Sequence, residues 1–419
     1  MRKWTLVSLL VLMSLLIAPV SVFAAGPPQQ GETEYTVQLD DNLWNISEKY
    51  LGTGAAYRAI LLATNIKSHE DDTFAYIKDK SLIYPGQKLL VPGAEEAEEI
   101  MASLQNFKVG MVSDVGGIDD ASFNENTWKG LQDAAEQWGI QAAFIESQAQ
   151  ADYEANMTEF AEQGYDLIIP VGFLLGDATA KVAEQYPDTH FAIVDVGWLE
   201  APNIQGIVFN VDEASFGVGY VAAAMADILD PAGPVVAYIG GMQIPPVEQF
   251  IVAYEAGVNY YNEKYGKSVG FTGVYVGDFE APDQGKTQAN SLIDEGADII
   301  MGVGGKTGNG GIAAAKERGK WGVGVDVDQY YTLPNEKDIL VTSTLKKLDA
   351  AVFGTISDAL EGYFQGGGLY IATLANGGVD VGPFHDFEDM VPQNIKDDLV
   401  AIKAGIIAGT ISTGWPVAE

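Results

Sequence analysis

Three aspartates end apolar runs in the same way: Asp114 after VGMVS, Asp195 after FAIV and Asp326 after WGVGV. In open parallel sheets ligands sit beyond the carboxyl ends of the strands. Acids in that position either cap the next helix or turn, or face a shared ligand. Carboxylates gathered in one cleft repel one another unless each meets a hydrogen-bond donor or a cation, so the ligand they favour brings hydroxyls, amino groups or a metal. The first aspartate opens the loop DVGGIDDASFNENTWKG. Ser122 and Glu125 fit a capping box, which places Phe123 and Asn124 in the first turn of a helix. Trp128, Leu131, Ala135 and Trp138 form the apolar stripe of that helix, and Gly139 closes it. Phe123 lies off the stripe, where it either stacks on a planar ligand or staples the helix mouth to a neighbouring loop. Asn124 offers a donor and an acceptor, which suit the edge of a heterocycle or a second turn-stabilising bond.

A glycine loop, GVGGKTGNGG over Gly302 to Gly311, joins the run ADIIM to IAAAKERG. It contains Gly305-Lys306-Thr307, but the first glycine of a phosphate-binding P-loop would fall at residue 300, which is Ile300, so the motif fails. The glycines are explained by turn chemistry or by close approach of backbone to a ligand.

Composition narrows the chemistry. There is no cysteine, hence no thiol nucleophile, disulfide, zinc-thiolate site or lipid-bearing cysteine, and only His69, His190 and His385 offer imidazole. The formal charge of the 419 residues is −35, and more negative still once Arg2 and Lys3 leave with the leader described next. Such a surface repels nucleic acid at long range, so no nucleic-acid partner is expected.

The elements that position these residues follow from pattern. Residues 1–24 read as a secretory signal: Arg2 and Lys3, an apolar run, then Val22-Phe23-Ala24 before the cleavage point. A retained membrane anchor is the alternative. From Tyr35 to Pro92 the pattern is strand, helix (Leu43 to Tyr50), helix (Tyr57 to Thr64) and strand, with Asp41 or Asn42 as the first cap. GAEEAEEIMASLQN then reads as a helical or disordered linker over 93–105. From Phe107 onward ten apolar runs alternate with amphipathic stretches, which implies parallel sheets covered on both faces. Ten strands exceed one comfortable sheet, so two doubly wound α/β lobes with a cleft between them are expected, over 106–213 with 345–375 and over 214–344 with 376–419.

YTVQLDDNLWNISEKYLG and IYPGQKLLVP closely resemble the lysin motif (LysM), a small βααβ module that binds N-acetylglucosamine polymers such as peptidoglycan. Where that family has Gly-Asp-Thr-Leu, this chain has Asp40-Asp41-Asn42-Leu43. The large module resembles the basic membrane protein (BMP) type of solute-binding protein through KVGMVSDVGGIDDASFNENTWKGL, YIGGMQIPPVEQFIVAYEAGV, GDFEAPDQGKTQANSLIDEGADIIMGVGGKTGNG and TSTLKKLDAAV. That resemblance implies a type I periplasmic-binding-protein fold that delivers nucleosides, purines above all, to an ABC transporter permease, with no catalysis and no cofactor. Carried over, it implies that Phe123 and Phe279 flank the base, that Asn124 and Asp195 reach the base edge, and that Asp326 and Lys346 hold the ribose with Asp114 nearby. It also brings the loop at Gly305 against the sugar. On its own residues Lys346 can instead be read as a solvated charge at a helix start. Without a lipidated cysteine, the LysM module is the expected tether to the wall. A sugar-binding protein of the same fold, an exported nucleoside hydrolase using Asp119 and Asp120 around calcium, and a wall scaffold are the competing readings.

Overall fold

The computed structural model describes residues 31–416; the signal expected over 1–24 lies outside them. The chain begins with β1 (Thr33–Thr36), α1 (Leu43–Leu51), α2 (Tyr57–Glu70) and β2 (Lys88–Val91), and the two strands pair antiparallel. Asn42 takes the cap: its Oδ1 accepts the Asn45 N–H at 2.9 Å, and left-handed Gly52 ends the helix. Leu43, Ile46, Ile60, Leu61 and Leu89 fill the interior. The expected linker is the helix α3 (Ala94–Asn106), which starts one residue after the Val91-Pro92-Gly93 exit and runs directly into the next strand.

Lobe 1 is built from β3 (Lys108–Val112), α4 (Phe123–Trp138), β4 (Gln141–Ile145), α5 (Tyr153–Glu162), β5 (Leu167–Pro170), α6 (Gly176–Gln185), β6 (His190–Val194) and β7 (Ile204–Phe209). Lobe 2 follows with α7 (Val211–Leu229), β8 (Val235–Gly240), α8 (Pro245–Tyr265), β9 (Gly270–Tyr275), α9 (Pro282–Asp294), β10 (Ile299–Val303), α10 (Gly305–Glu317), β11 (Trp321–Asp326), α11 (Gln329–Thr332) and β12 (Leu340–Lys346). The chain returns to lobe 1 for α12 (Leu348–Leu360) and β13 (Leu369–Ala372), then to lobe 2 for β14 (Val379–Val381) and α13 (Gln393–Ile407). The sheets have the orders β13-β7-β6-β5-β3-β4 and β14-β12-β11-β10-β8-β9. All pairs in them are parallel except β12 with β14. The strands are apolar along their length because helices cover both faces; β5, β10 and most of β6 and β11 are fully buried.

Three chain crossings join the lobes, at Asn210, at Lys347 and between Ala372 and Val379. The boundaries expected after 213 and before 345 fall inside α7 and β12, because a crossing is placed by where a strand ends and not by a change in composition. The buried face of α4 is also displaced from expectation: Gly130, Leu131, Ala134 and Trp138 are buried, while Trp128 and Ala135 are half-buried. Gly130 is required there, since a Cβ would stand 2.6 Å from the Asp349 carbonyl oxygen of α12.

The N-terminal module is packed on lobe 1. Arg58 donates to the carbonyls of Glu136 and Gln137 at 2.9 Å each, which satisfies the last turn of α4 with a cation. Gln137 exchanges side-chain bonds with the backbone of Lys78 and Lys80. Glu361, at the end of α12, has a side chain 0% exposed; its oxygens meet Asn65 Nδ2 at 3.0 Å and His69 Nε2 at 2.8 Å.

Candidate functional site

The strand ends of both lobes face one cleft that encloses about 560 Å³ of non-atom space, part of it open to solvent. All eight residues singled out from the sequence line it: Asp114, Phe123, Asn124, Asp195, Phe279, Gly305, Asp326 and Lys346. Asp114, Asp195 and Phe279 come from loops that leave strands, Asp326 and Lys346 are the last residues of β11 and β12, and Phe123–Asn124 and Gly305 open α4 and α10.

Asp195 and Asp326 occupy equivalent positions after β6 and at the end of β11, and both are left-handed, with φ 63° and 65°. Aspartate tolerates that conformation better than most residues, and backbone strain of this kind collects at ligand sites. Lys346 is 2% exposed, which removes the reading as a solvated charge. Its Nζ meets Asp195 Oδ2 at 2.6 Å and lies 4.6 Å from the Phe123 ring centroid. Phe123 thus has a cation over its ring and also packs against the hydrophobic core. Phe279 is buried against Gly241, where a Cβ would come within 2.3 Å of its ring.

Asn124 is 1% exposed. Its Nδ2 donates to Asp114 Oδ1 at 2.9 Å, and its buried Oδ1 has no partner. Burial pushes the Asp114 carboxyl up to about 6, against the donors from Asn124 and the Gly116 N–H. Burial likewise raises Asp326, against the Lys346 cation and the Ser122 hydroxyl.

The expected capping box does not form. Asp120 caps α4: its carboxylate accepts the N–H groups of Ser122 and Asn124 at 2.9 Å and of Glu125 at 3.2 Å. Burial still raises it to about 7. Ser122 stands at the cap position without a cap bond, because its hydroxyl donates to Asp326 Oδ2 of lobe 2 at 2.7 Å. Glu125 accepts from Ala121 instead. Phe173 and Phe250 also line the cleft and were not singled out, and Asp120, which lines it too, had been named only as a calcium ligand. Phe173 follows β5 at its carboxyl end, so the strand-end rule extended to that run would have found it.

The glycine loop shapes the opposite wall. Gly304 has φ 147°, and a Cβ there would lie 2.3 Å from the Gly241 nitrogen. Gly305 has φ 55° and heads α10 at the cleft. Lys306 turns away to pair with Asp119 at 2.5 Å and Glu280 at 3.0 Å. Asp119 and Asp120 are thus engaged in an ion pair and a helix cap, and among the described residues no three acids, histidines or cysteines are grouped as metal ligands. No helix of the described residues is long and apolar enough to cross a membrane.

Two parallel-sheet lobes, joined by three crossings and meeting at their strand ends over a polar cleft, are the architecture of a type I periplasmic binding protein. A family model described as ABC transporter substrate-binding protein PnrA-like matches residues 107–414, and a LysM model matches 35–69. The chain belongs to this Bmp family and carries an N-terminal LysM domain. It is 34% identical over 283 residues to a CD4+ T-cell-stimulating antigen of Listeria monocytogenes, covering 63% of this chain and 77% of the relative. It is 30% identical over 325 residues to the ABC transporter nucleoside-binding protein BmpA of Lactococcus lactis, covering 73% and 89%. A crystal structure of an ABC transporter solute-binding protein from Aeropyrum pernix superposes with a TM-score of 0.69 at 29% identity, covering 73% of this chain and 92% of that one.

Proposed function

We propose that the chain is the exported receptor of an ABC importer for nucleosides, purines favoured, and that it binds them without turnover. The observation that carries this reading is the unpartnered, buried Oδ1 of Asn124 in a cleft that also holds the rings of Phe123 and Phe279. A buried acceptor without a donor costs free energy that a ligand N–H recovers, and the rings suit a planar heterocycle. Asp326, Asp195 and Lys346 gather acceptors and a cation suited to vicinal hydroxyls. The Lactococcus relative, named as nucleoside-binding, supports the same ligand class. Calorimetric titration with adenosine, guanosine, inosine, cytidine and uridine, with ribose, glucose and calcium as controls, tests it. Saturable binding to a nucleoside, lost in Phe123→Ala, with the nucleoside recovered intact, is the expected result. Heat from a sugar or calcium alone would leave only the fold to the resemblance.

The LysM module is read as the tether to wall glycan. Leu39 and Tyr84, on the loops that flank β1 and β2, are 79% and 58% exposed. Sedimentation with purified peptidoglycan, weakened in an Asp40→Ala/Tyr84→Ala variant, is expected; equal sedimentation of both forms argues against it.

A further inference from the structure

The loop Asp119–Ser122 belongs to lobe 1, yet its outward polar groups are met by lobe 2. Asn309 Nδ2 donates to the Asp120 carbonyl at 2.8 Å, and Thr332 Oγ1 donates to the Ala121 carbonyl at 2.8 Å. Gln329 Nε2 reaches the same Ala121 carbonyl at 3.5 Å and donates to Asn309 Oδ1 at 3.0 Å. Gln329 is itself buried and fixed, its Oε1 accepting the Val325 N–H at 3.1 Å. Ala121 has φ 54°, a left-handed value that costs a residue with a Cβ. That turn presents two successive carbonyls to lobe 2, while the helix start needs only the Asp120 carboxylate.

We propose that this loop is a latch between the lobes, and that Asn309, Gln329 and Thr332 are positioning residues that hold the cleft shut without lining it. The latch leads directly into Phe123 and Asn124, so its capture fixes both against the cleft. Apparent affinity scales with the fraction of molecules in the binding-competent state. Contacts made only between closed lobes therefore set how long a ligand stays.

The probe rests on the nucleoside reading above. In Asn309→Ala/Thr332→Ala, and separately in Ala121→Val, which removes no hydrogen-bonding group but disfavours positive φ, the tightest-binding nucleoside is titrated and its release timed. Distances between spin labels on exposed positions of α6 and α9 are measured with and without it. The latch predicts an affinity loss of about 5- to 30-fold, the scale of one or two neutral hydrogen bonds. The loss is carried by faster release, with longer inter-lobe distances and a ligand-free unfolding midpoint near that of the natural chain. Unchanged affinity and release in both variants overturn it, as does an equal fall in unfolding midpoint with and without ligand. Should the natural chain bind no nucleoside, the cleft reading fails by itself. The ligand-free distances then decide: longer in both variants supports the latch, and identical to the natural chain overturns it.

Discussion

The molecule has two seams, and they are built differently. Between the LysM module and lobe 1, the charged groups are saturated: Glu361 has both oxygens occupied and is closed off from solvent, and Arg58 is spent on the last carbonyls of α4. Between lobes 1 and 2, outside the cleft, neutral amides and hydroxyls of Asn309, Gln329 and Thr332 bond to the carbonyls of one loop, beside one ion pair, Lys306 with the largely exposed Asp119, of a kind that solvent makes weak. Water can replace neutral bonds of that kind at little net cost, whereas exposing one partner of a buried charge is expensive. The first seam is therefore costlier to open than the second.

The comparison is broken most forcefully at the first seam. Glu361→Ala, which leaves the Asn65 and His69 side chains without their shared acceptor, is expected to cost about 3 kcal/mol, and scanning calorimetry should show LysM and lobe 1 melting in one transition. Two well-separated transitions would make the module an independent bead. Next in size, Phe123→Ala should weaken nucleoside binding by about 1–3 kcal/mol, the worth of an aromatic platform for a base, while denaturant unfolding of the ligand-free protein stays nearly unchanged.

Smaller effects separate two neighbouring residues of the latch loop. Asp120→Ala removes the cap of α4 and should lower stability by about 1–2 kcal/mol. Ser122→Ala, whose hydroxyl serves lobe 2, should cost less than about 0.5 kcal/mol of ligand-free stability and show itself in affinity. The reverse order would restore the capping box.

The smallest expected effect is in pH. The Asp114 carboxyl titrates near 6 in the fold. A ligand donor facing its carboxylate brings that raised value down, so affinity should be full above pH 6 and decline as pH falls through it; Asp114→Asn should flatten the profile. Stability moves the other way. Asp114 and Asp120 are raised to about 6 and about 7, so the folded state holds these protons more tightly than the unfolded chain. Their contribution to stability therefore increases as pH drops from about 7 toward 4. Urea titrations of the ligand-free protein at pH 5 and pH 7.5 read the sign.

Much of this architecture was legible because apolar runs bounded by turns carry their own signal. All ten runs became strands. The two strands that were not foreseen, LYIA at β13 and VDV at β14, are short and sit among glycines, and they exist because a lobe edge was there to pair with. The three aspartates could be picked out because strand ends are where chain turns and ligands meet, and Phe123 and Asn124 because the sequence put them at a helix mouth, whereas Phe279 and Lys346 came only from the family resemblance. The error at Ser122 shows the limit. Ser-x-x-Glu is an ideal local cap, and only the approach of Asp326, some two hundred residues away, diverts the hydroxyl. Asp120 then inherits the cap because its neighbour has been recruited elsewhere.

One element joins both seams. Helix α4 spans 16 residues, about 24 Å at the usual rise, with Arg58 of the LysM module gripping its last carbonyls and Phe123 at its first residue. Mechanically, α4 is a strut between the LysM module and the cleft. Were the LysM module tethered as proposed, a pull on it would enter lobe 1 at the foot of the strut and pass to lobe 2 through the three crossings and the bonds that Asn309, Thr332 and Asp326 make to the loop at its head.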